Sequence, residues 1–213
     1  TPMNAIIGLD TLALHDAGLS EQTRDYLEKI GASARHLLGL INDILDMSRI
    51  ESGRIMIRSE EFSFAQMLAQ VNTIISGQCR DKGISYECQV KGAVGDYYIG
   101  DEMKLRQVMI NILGNAVKFT PSGGTIACSI SEMADDADMG AYEIRVQDTG
   151  IGIAPEHQDK VFERFYRVDK SRSKSTGGTG LGLAIVKHIV AQHDAELVLE
   201  SKEGVGTEIR VYF

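Results

Sequence analysis

The chain lacks a surplus of positive charge, long apolar runs and more than a handful of cysteines. Against 30 acidic residues stand 22 basic ones, a formal net charge of −8. That balance disfavours sequence-independent binding to nucleic acid or anionic membranes while permitting a local basic patch. No apolar run approaches the roughly 20 residues that span a bilayer, and no signal-peptide pattern opens the chain. Cys79, Cys88 and Cys128 are odd in number and lack C-x-x-C spacing, which suggests neither a disulfide framework nor a zinc site. A soluble protein of a reducing compartment is expected, and neither internal repeats nor low-complexity tracts are visible. What is present is ordinary for a folded protein. With 43% hydrophobic and 24% charged residues over 213 positions, wholesale disorder is excluded, and the length suits one large domain or a medium one with an appendage.

Proline is missing from Ser20 to Ile50, where Gly31 and Gly39 are the only glycines. There Leu27, Ile30, Ala34, Leu37, Ile41 and Ile44 step by threes and fours, which predicts one long helix with a heptad seam. A shorter helical pattern runs from Met3 to Leu14, with Pro2 tolerable in its first turn. Asp16-Ala-Gly18 breaks it, and Ser20-Glu21 opens the next helix. A lone hairpin buries little surface, so the seam is expected to pair with a second copy; packing on the rest of the chain is the alternative. Glu51-Ser-Gly53 supplies a glycine stop, placing a boundary between residues 1–53 and 54–213.

Beyond it the pattern is mixed. Helices are expected over Phe64 to Arg80, Asp101 to Phe119 and Gly180 to His193. Alternation predicts strands at Ile84 to Val90, Ile126 to Ile130, Tyr142 to Val146, Leu197 to Leu199 and Ile209 to Phe213. An acidic loop from Glu132 to Gly140 joins two of them. About five strands and three helices make an α+β chain: a helical hairpin, then a two-layer α/β sandwich.

Three local conflicts carry the chemistry. Asn111, Asn115 and Lys118 share one stripe of a helix whose apolar side is Leu105, Met109, Ile112 and Ala116. Asparagine favours caps over helix interiors; the stripe is either a solvated face or a carboxamide oxygen for a hard cation beside an ammonium for phosphate. Asp148 continues the inward series Tyr142, Ile144, Val146, and a buried carboxylate needs a donor. A strand-end turn supplies one, or, beside Thr149-Gly-Ile-Gly152, an exocyclic amine such as adenine's. Finally, Thr176-Gly-Gly-Thr-Gly-Leu-Gly-Leu183 runs into a helix, exposing amide donors at its N-terminus. No Gly-Lys-Ser/Thr follows, and Asp169 to Gly180 contains no apolar residue, so this is neither a P-loop nor a dinucleotide fingerprint. With Lys170, Arg172 and Lys174 it reads as a basic lid or a plain loop.

In order, these elements suit a magnesium-bound adenine nucleotide, and they complete a resemblance. Asn111-Ile-Leu-Gly-Asn115-Ala-Val-Lys118-Phe-Thr, Asp148-Thr-Gly-Ile-Gly152, Phe162-Glu-Arg-Phe165-Tyr-Arg167 and Gly178-Thr-Gly-Leu-Gly182 resemble the asparagine, first glycine, phenylalanine and second glycine boxes of sensor histidine kinases of two-component systems. Asn42-Asp-Ile-Leu-Asp46 through Glu51-Ser-Gly53 is similar to the end of that family's dimerisation hairpin. The resemblance implies a gyrase- and chaperone-type ATP-binding fold over 54–213, a mixed sheet with helices on one face. It implies ATP and magnesium as cofactors, with catalytic or binding roles for Asn111, Asn115 as metal ligand, and Lys118 and Arg167 on phosphates. Phe119 lies near the base or lid, or in the core, and Asp148 on the adenine amine. Gly150, Gly152, Gly178, Thr179, Gly180, Leu181 and Gly182 shape the pocket and lid. It also implies homodimerisation through the hairpin, a response regulator receiver domain as partner, and no nucleic-acid or membrane contact by this fragment. A cytoplasmic location is expected, with an anchor elsewhere in the full protein left open.

The family's phosphoacceptor motif reads His-Glu/Asp-x-x-Thr-Pro, and Thr1-Pro2 matches its end; Thr1 is then the position associated with dephosphorylating the partner. None of His15, His36, His157, His188 and His193 precedes an acid and Thr-Pro. The phosphoacceptor is therefore expected to be absent from this chain, which alone is not expected to autophosphorylate. Two competing readings are a gyrase- or chaperone-type ATP hydrolase clamp and a non-catalytic nucleotide-binding dimerisation module. Asn111 weighs against the clamp, whose members carry a glutamate there as general base.

Overall fold

The computed structural model describes residues 2–51, 57–92, 95–133, 141–168 and 179–213. Its internal contacts divide the chain into two compact units, Thr1–Gly53 and Arg54–Phe213.

The first unit is a hairpin of α1 (Pro2–Leu14) and α2 (Glu21–Glu51). Ser20 caps α2 by accepting from the Thr23 N–H at 3.1 Å, and Arg24 reaches back to the Leu14 carbonyl at 3.1 Å; both satisfy helix-end groups that would otherwise be orphaned. Gly31 lets the helices close around Asp10: a Cβ there would lie 2.1 Å from Asp10 Oδ2. Along the seam Ala34 and Met47 are buried, whereas Ile30, Leu37, Ile41 and Ile44 are exposed, Ile44 to 53%. The expected stop at Ser52-Gly53 lies outside the described residues.

The second unit is a five-stranded sheet ordered β2-β4-β5-β7-β6: β2 (Ser85–Lys91), β4 (Thr125–Met133), β5 (Ala141–Asp148), β6 (Glu196–Lys202) and β7 (Gly206–Tyr212). The β2–β4 pair is parallel and the other pairs antiparallel. Parallel strands need a crossover, and α4 (Glu102–Phe119) supplies it. With α3 (Phe64–Lys82) and α6 (Gly182–Gln192) it forms the second layer. Each helix aims a stripe inward: Met67, Val71 and Ile75; Val108, Ile112 and Leu113; Ile185, Val186 and Ile189. These meet Ile126, Ile130, Ile144, Val146 and Val211 of the sheet, all buried, each contributing about 1.5–3 kcal/mol of burial. The sheet's other face carries exposed Glu87, Gln89, Arg145 and Gln147, as period-2 alternation requires.

Caps set the helix bounds. Ser63 accepts from the Gln66 N–H, Asp101 from that of Lys104, and Gly83 ends α3 in the left-handed region. Two differences from expectation stand out. The last helix starts at Gly182 rather than Gly180, because Gly180 is bent to φ +71°. A separate two-stranded sheet pairs β1 (Glu60–Ser63) with β3 (Tyr97–Gly100); four residues each, they are too short to display alternation. Tyr98 fastens it by edge-on contact with Phe64 and Tyr142 at 5.6 and 5.2 Å.

Candidate functional site

The site is built around the C-terminal half of α4. Asn111, Asn115 and Lys118 occupy one half-buried stripe of that helix. Asn111 Nδ2 donates to the Gly182 carbonyl at 3.3 Å, joining α4 to the N-terminus of α6. A Cβ on Gly182 would meet the Asn111 side chain at 3.6 Å, an ordinary van der Waals contact. Lys118 is pushed below the usual lysine range first by burial and then by the neighbouring Arg167 guanidinium. A half-desolvated cation with a second positive charge in its neighbourhood is stabilised by an anion nearby. Phe119, 44% exposed with Lys118 Nζ 5.1 Å from its ring centroid, is not a core residue.

Asp148 ends β5 on the buried side of the sheet, as the alternation required. Burial pushes its carboxyl up from the ordinary carboxylate value, partly offset by the backbone N–H groups of Gly150 and Thr207. The Gly150 bond is 2.8 Å. The following turn lies across the end of α4: Ile151 N–H donates to the Phe119 carbonyl at 3.2 Å, and a Cβ on Gly150 would sit 2.8 Å from the same oxygen. Its other flank rests on the β6–β7 hairpin. Gly152 has φ +66°, with Lys202 O 2.0 Å from where a Cβ would be. Ser201 Oγ accepts from the Ile153 N–H at 2.8 Å and donates to Gly206 O at 3.0 Å.

After a single helical turn, α5 (Pro155–Gln158), and a short 3₁₀ segment at Lys160–Phe162, the chain reaches Phe165. This residue takes φ +60°, costly for an aromatic side chain. Its N–H binds the Gly180 carbonyl at 3.0 Å, and a Cβ on Gly180 would lie 2.9 Å from Phe165 C. Tyr166 Oη pairs with His157 Nδ1 at 2.7 Å, and Leu181, buried, donates its N–H to Thr179 Oγ1 at 3.0 Å.

The structure thus links Asn111 with Gly182, Phe119 with the Gly150-Ile151 turn, that turn with Asp148, and Phe165 with Gly180, and it sets the Arg167 charge within range of Lys118. Thr1, Gly178, Lys170, Arg172 and Lys174 lie outside the described residues, as does most of the acidic loop. Sequence reasoning missed Ser201, Gly206 and Thr207, which back Asp148; the signal available was Gly204-Val-Gly206-Thr between the last two strands. It also missed that Lys104 and Arg164 flank His188, whose imidazole is pushed down first by burial and then by those two charges. Among the described residues no group of three or more His, Cys, Asp or Glu side chains is arranged to hold a metal ion. None of their helices is long and apolar enough to cross a membrane.

Residues 100–213 match the family of histidine kinase-, DNA gyrase B- and HSP90-like ATPases, and residues 1–53 match the His Kinase A (phospho-acceptor) domain. The chain belongs to the sensor histidine kinases of two-component systems. The second match corrects the expectation of an absent phosphoacceptor: the phospho-acceptor domain is present in this histidine kinase, in the hairpin. Signal transduction histidine-protein kinase BarA of Escherichia coli K12 is 36% identical over 207 residues, covering 97% of this chain and 22% of that protein. Circadian input-output histidine kinase CikA of Synechococcus elongatus is 36% identical over 216 residues, 100% of this chain and 28% of the relative. The chain therefore spans between a fifth and a third of these relatives. Full-length ShkA in complex with AMPPNP superposes with a TM-score of 0.77 at 31% identity, covering 99% of this chain and 42% of that one. The catalytic domain of histidine kinase ThkA, at 22% identity and TM-score 0.60, shares the fold.

Proposed function

We propose that this chain is the kinase core of a sensor histidine kinase. It binds ATP with magnesium in the 54–213 domain and transfers the γ-phosphate to a histidine of its phospho-acceptor domain, for relay to an aspartate of a response regulator receiver domain. The observation that carries this reading is at one helix end: Lys118, with the Arg167 guanidinium as a neighbouring charge, sits at the end of α4, and the half-buried Asp148 precedes the turn that binds the Phe119 carbonyl. Cations suit phosphates, and a desolvated carboxylate suits an exocyclic amine donor. ShkA, similar over nearly the whole chain, was solved with the ATP analogue AMPPNP.

The donor set fits magnesium. Asn111 spends its amide N–H on Gly182 O, which leaves its oxygen polar and unprotonated; Asn115 stands one turn on. Carboxamide oxygens and phosphates are hard donors of the kind magnesium takes without an all-protein cage. Asn115 would hold the ion, which when bound neutralises charge on the phosphates. Gly150, Gly152, Gly178, Thr179, Gly180, Leu181 and Gly182 shape the nucleotide's surroundings, Phe119 lines the mouth, and Thr1 serves the reverse, dephosphorylating reaction. The exposed hairpin seam pairs with a second copy. Asn111 again disfavours a hydrolase, since a carboxamide has no basicity to spend on water.

Calorimetry with Mg-AMPPNP and a guanine analogue tests the nucleotide, and labelling from γ-labelled ATP followed by peptide mapping tests the transfer. Adenine preference together with acid-labile label on a histidine of the hairpin supports the reading. Equal adenine and guanine affinities would remove Asp148 from its role, and nucleotide binding without any transfer favours a non-catalytic module.

A further inference from the structure

All three cysteines lie around Tyr86 in the ATP-binding unit. Cys88 and Cys128 are direct register partners on the parallel strands β2 and β4. Partners in a parallel pair point to the same face about 4.8 Å apart, inside the Cα separation of about 4.4–6.8 Å that a disulfide spans. That face is the helix side, where Ile126 and Ile130 flank Cys128 and are buried. Cys128 is itself buried, while Cys88, on the sheet's outermost strand, is half-buried and within reach of a small solute. Around Cys88 lies a polar collar. Tyr86 Oη donates to Asn72 Oδ1 at 2.6 Å, and both side chains, with the Cys128 thiol, hydrogen-bond to Cys88. An open cleft between α3 and β2, lined by Leu68, Asn72 and Val90, runs alongside. Nothing in the nucleotide reading uses any of these groups.

From this arrangement we infer that Cys88 and Cys128 form a reversible oxidative modification site, with Cys88 the peroxide-reactive thiol and Cys128 its resolving partner. The Cys88 thiolate attacks one oxygen of hydrogen peroxide; the O–O bond breaks, and the departing hydroxide takes a proton to become water. The resulting sulfenic acid is attacked by Cys128 sulfur, the S–O bond breaks, and the leaving hydroxide carries off the Cys128 proton as a second water. Two thiols and one peroxide thus yield one disulfide and two waters. Chemistry supports the order of events. Hydrogen bonds, first the one from the Cys128 thiol and then that from Asn72, outweigh burial and lower the Cys88 thiol to about 6, whereas Cys128 is pushed up by its bond to Cys88 and by burial. Cys79, on α3, is pushed up by burial and is the bystander. Among the described residues no strand pairs with the outer side of β2, so the strand has room for the small shift that closes the bond.

The test uses the full chain, reduced, freed of reductant, treated with hydrogen peroxide, quenched, and then unfolded in guanidinium chloride and alkylated with N-ethylmaleimide. Intact mass is expected to show one alkylated cysteine and the loss of two hydrogens, and non-reduced peptide mapping a Cys88–Cys128 cross-link that dithiothreitol reverses. Cys79→Ser should leave the cross-link intact, and Cys128→Ser should leave Cys88 trapped as a dimedone adduct. Three alkylated thiols after peroxide, a cross-link through Cys79, or bonds only between molecules would overturn the proposal. So would dimedone labelling of Cys128 rather than Cys88 in the corresponding single variants.

Discussion

Asp148 holds a charge where the solvent for it has been taken away, and that cost has a sign. Its carboxyl is raised by burial despite two backbone donors. A raised acid binds more protons folded than unfolded, so it lowers stability fully above its folded pKa, and the loss is relieved as pH falls toward the unfolded value. Asp148→Asn, which keeps the acceptor oxygen and removes the charge, should therefore melt no lower than wild type at neutral pH. The same change should weaken ATP binding roughly 10- to 150-fold, about 1.5–3 kcal/mol for a hydrogen bond to a charged group. Calorimetry beside a melting curve separates these outcomes; a variant that loses both stability and affinity would mean Asp148 is structural. By the same logic any stability advantage of Asp148→Asn over wild type should shrink as pH falls toward the ordinary carboxylate range, where the wild-type carboxyl takes up its proton. Gly152 offers a second residue-scale test. Gly123→Ala puts a methyl at φ +82° into open space, whereas at Gly152 the methyl meets the Lys202 carbonyl, a backbone atom that cannot swing aside. The first should cost about 1–2 kcal/mol and the second clearly more, read from urea denaturation.

At the scale of elements, α2 states its need for company. Tyr26, Ile30, Leu37, Ile41, Ile44 and Leu45 are all exposed on the single hairpin, as are Leu9 and Leu12 of α1. A contiguous apolar face of this kind marks an interaction surface, and its heptad spacing suits a second α2. Ile41→Asp should turn a dimer into a monomer by analytical ultracentrifugation while leaving Mg-ATP affinity unchanged. A dimer that survives the substitution would move the interface off this seam. The helix α4 instead serves by its end. Lys82 Nζ donates to the carbonyls of Val117 and Lys118, both at 2.7 Å, closing the C-terminus that carries Lys118 and Phe119. That placement explains why a glycine turn can lie across this helix end without leaving buried acceptors empty.

For the whole molecule, the catalytic expectation is restraint. On the proposed reading Asn111 stands where a hydrolase would place a carboxylate general base, whose contribution is typically about 10²- to 10⁴-fold. Phosphate release at saturating Mg-ATP should stay well below about 1 s⁻¹, the lower edge of ordinary enzyme turnover. Faster release would favour an ATP-driven clamp over a kinase that keeps its γ-phosphate for histidine.

The sequence by itself determined the elements with strong periods and the boxes with unusual composition. The long α2, the stripe on α4 and the inward set ending at Asp148 were legible because helices and strands repeat side-chain direction every 3.6 and 2 residues. The little β1–β3 sheet was not, since four-residue strands such as Glu60-Glu-Phe-Ser63 leave no alternation to read. Only the tertiary structure decided which residues stand behind the boxes. Ser201, Gly206 and Thr207 support Asp148 from some fifty residues away, and Lys104 and Arg164 surround His188. Cys88 meets Cys128 because β2 and β4 pair in parallel register. These associations follow from strand order and crossover, which the spacing of residues along the chain does not encode.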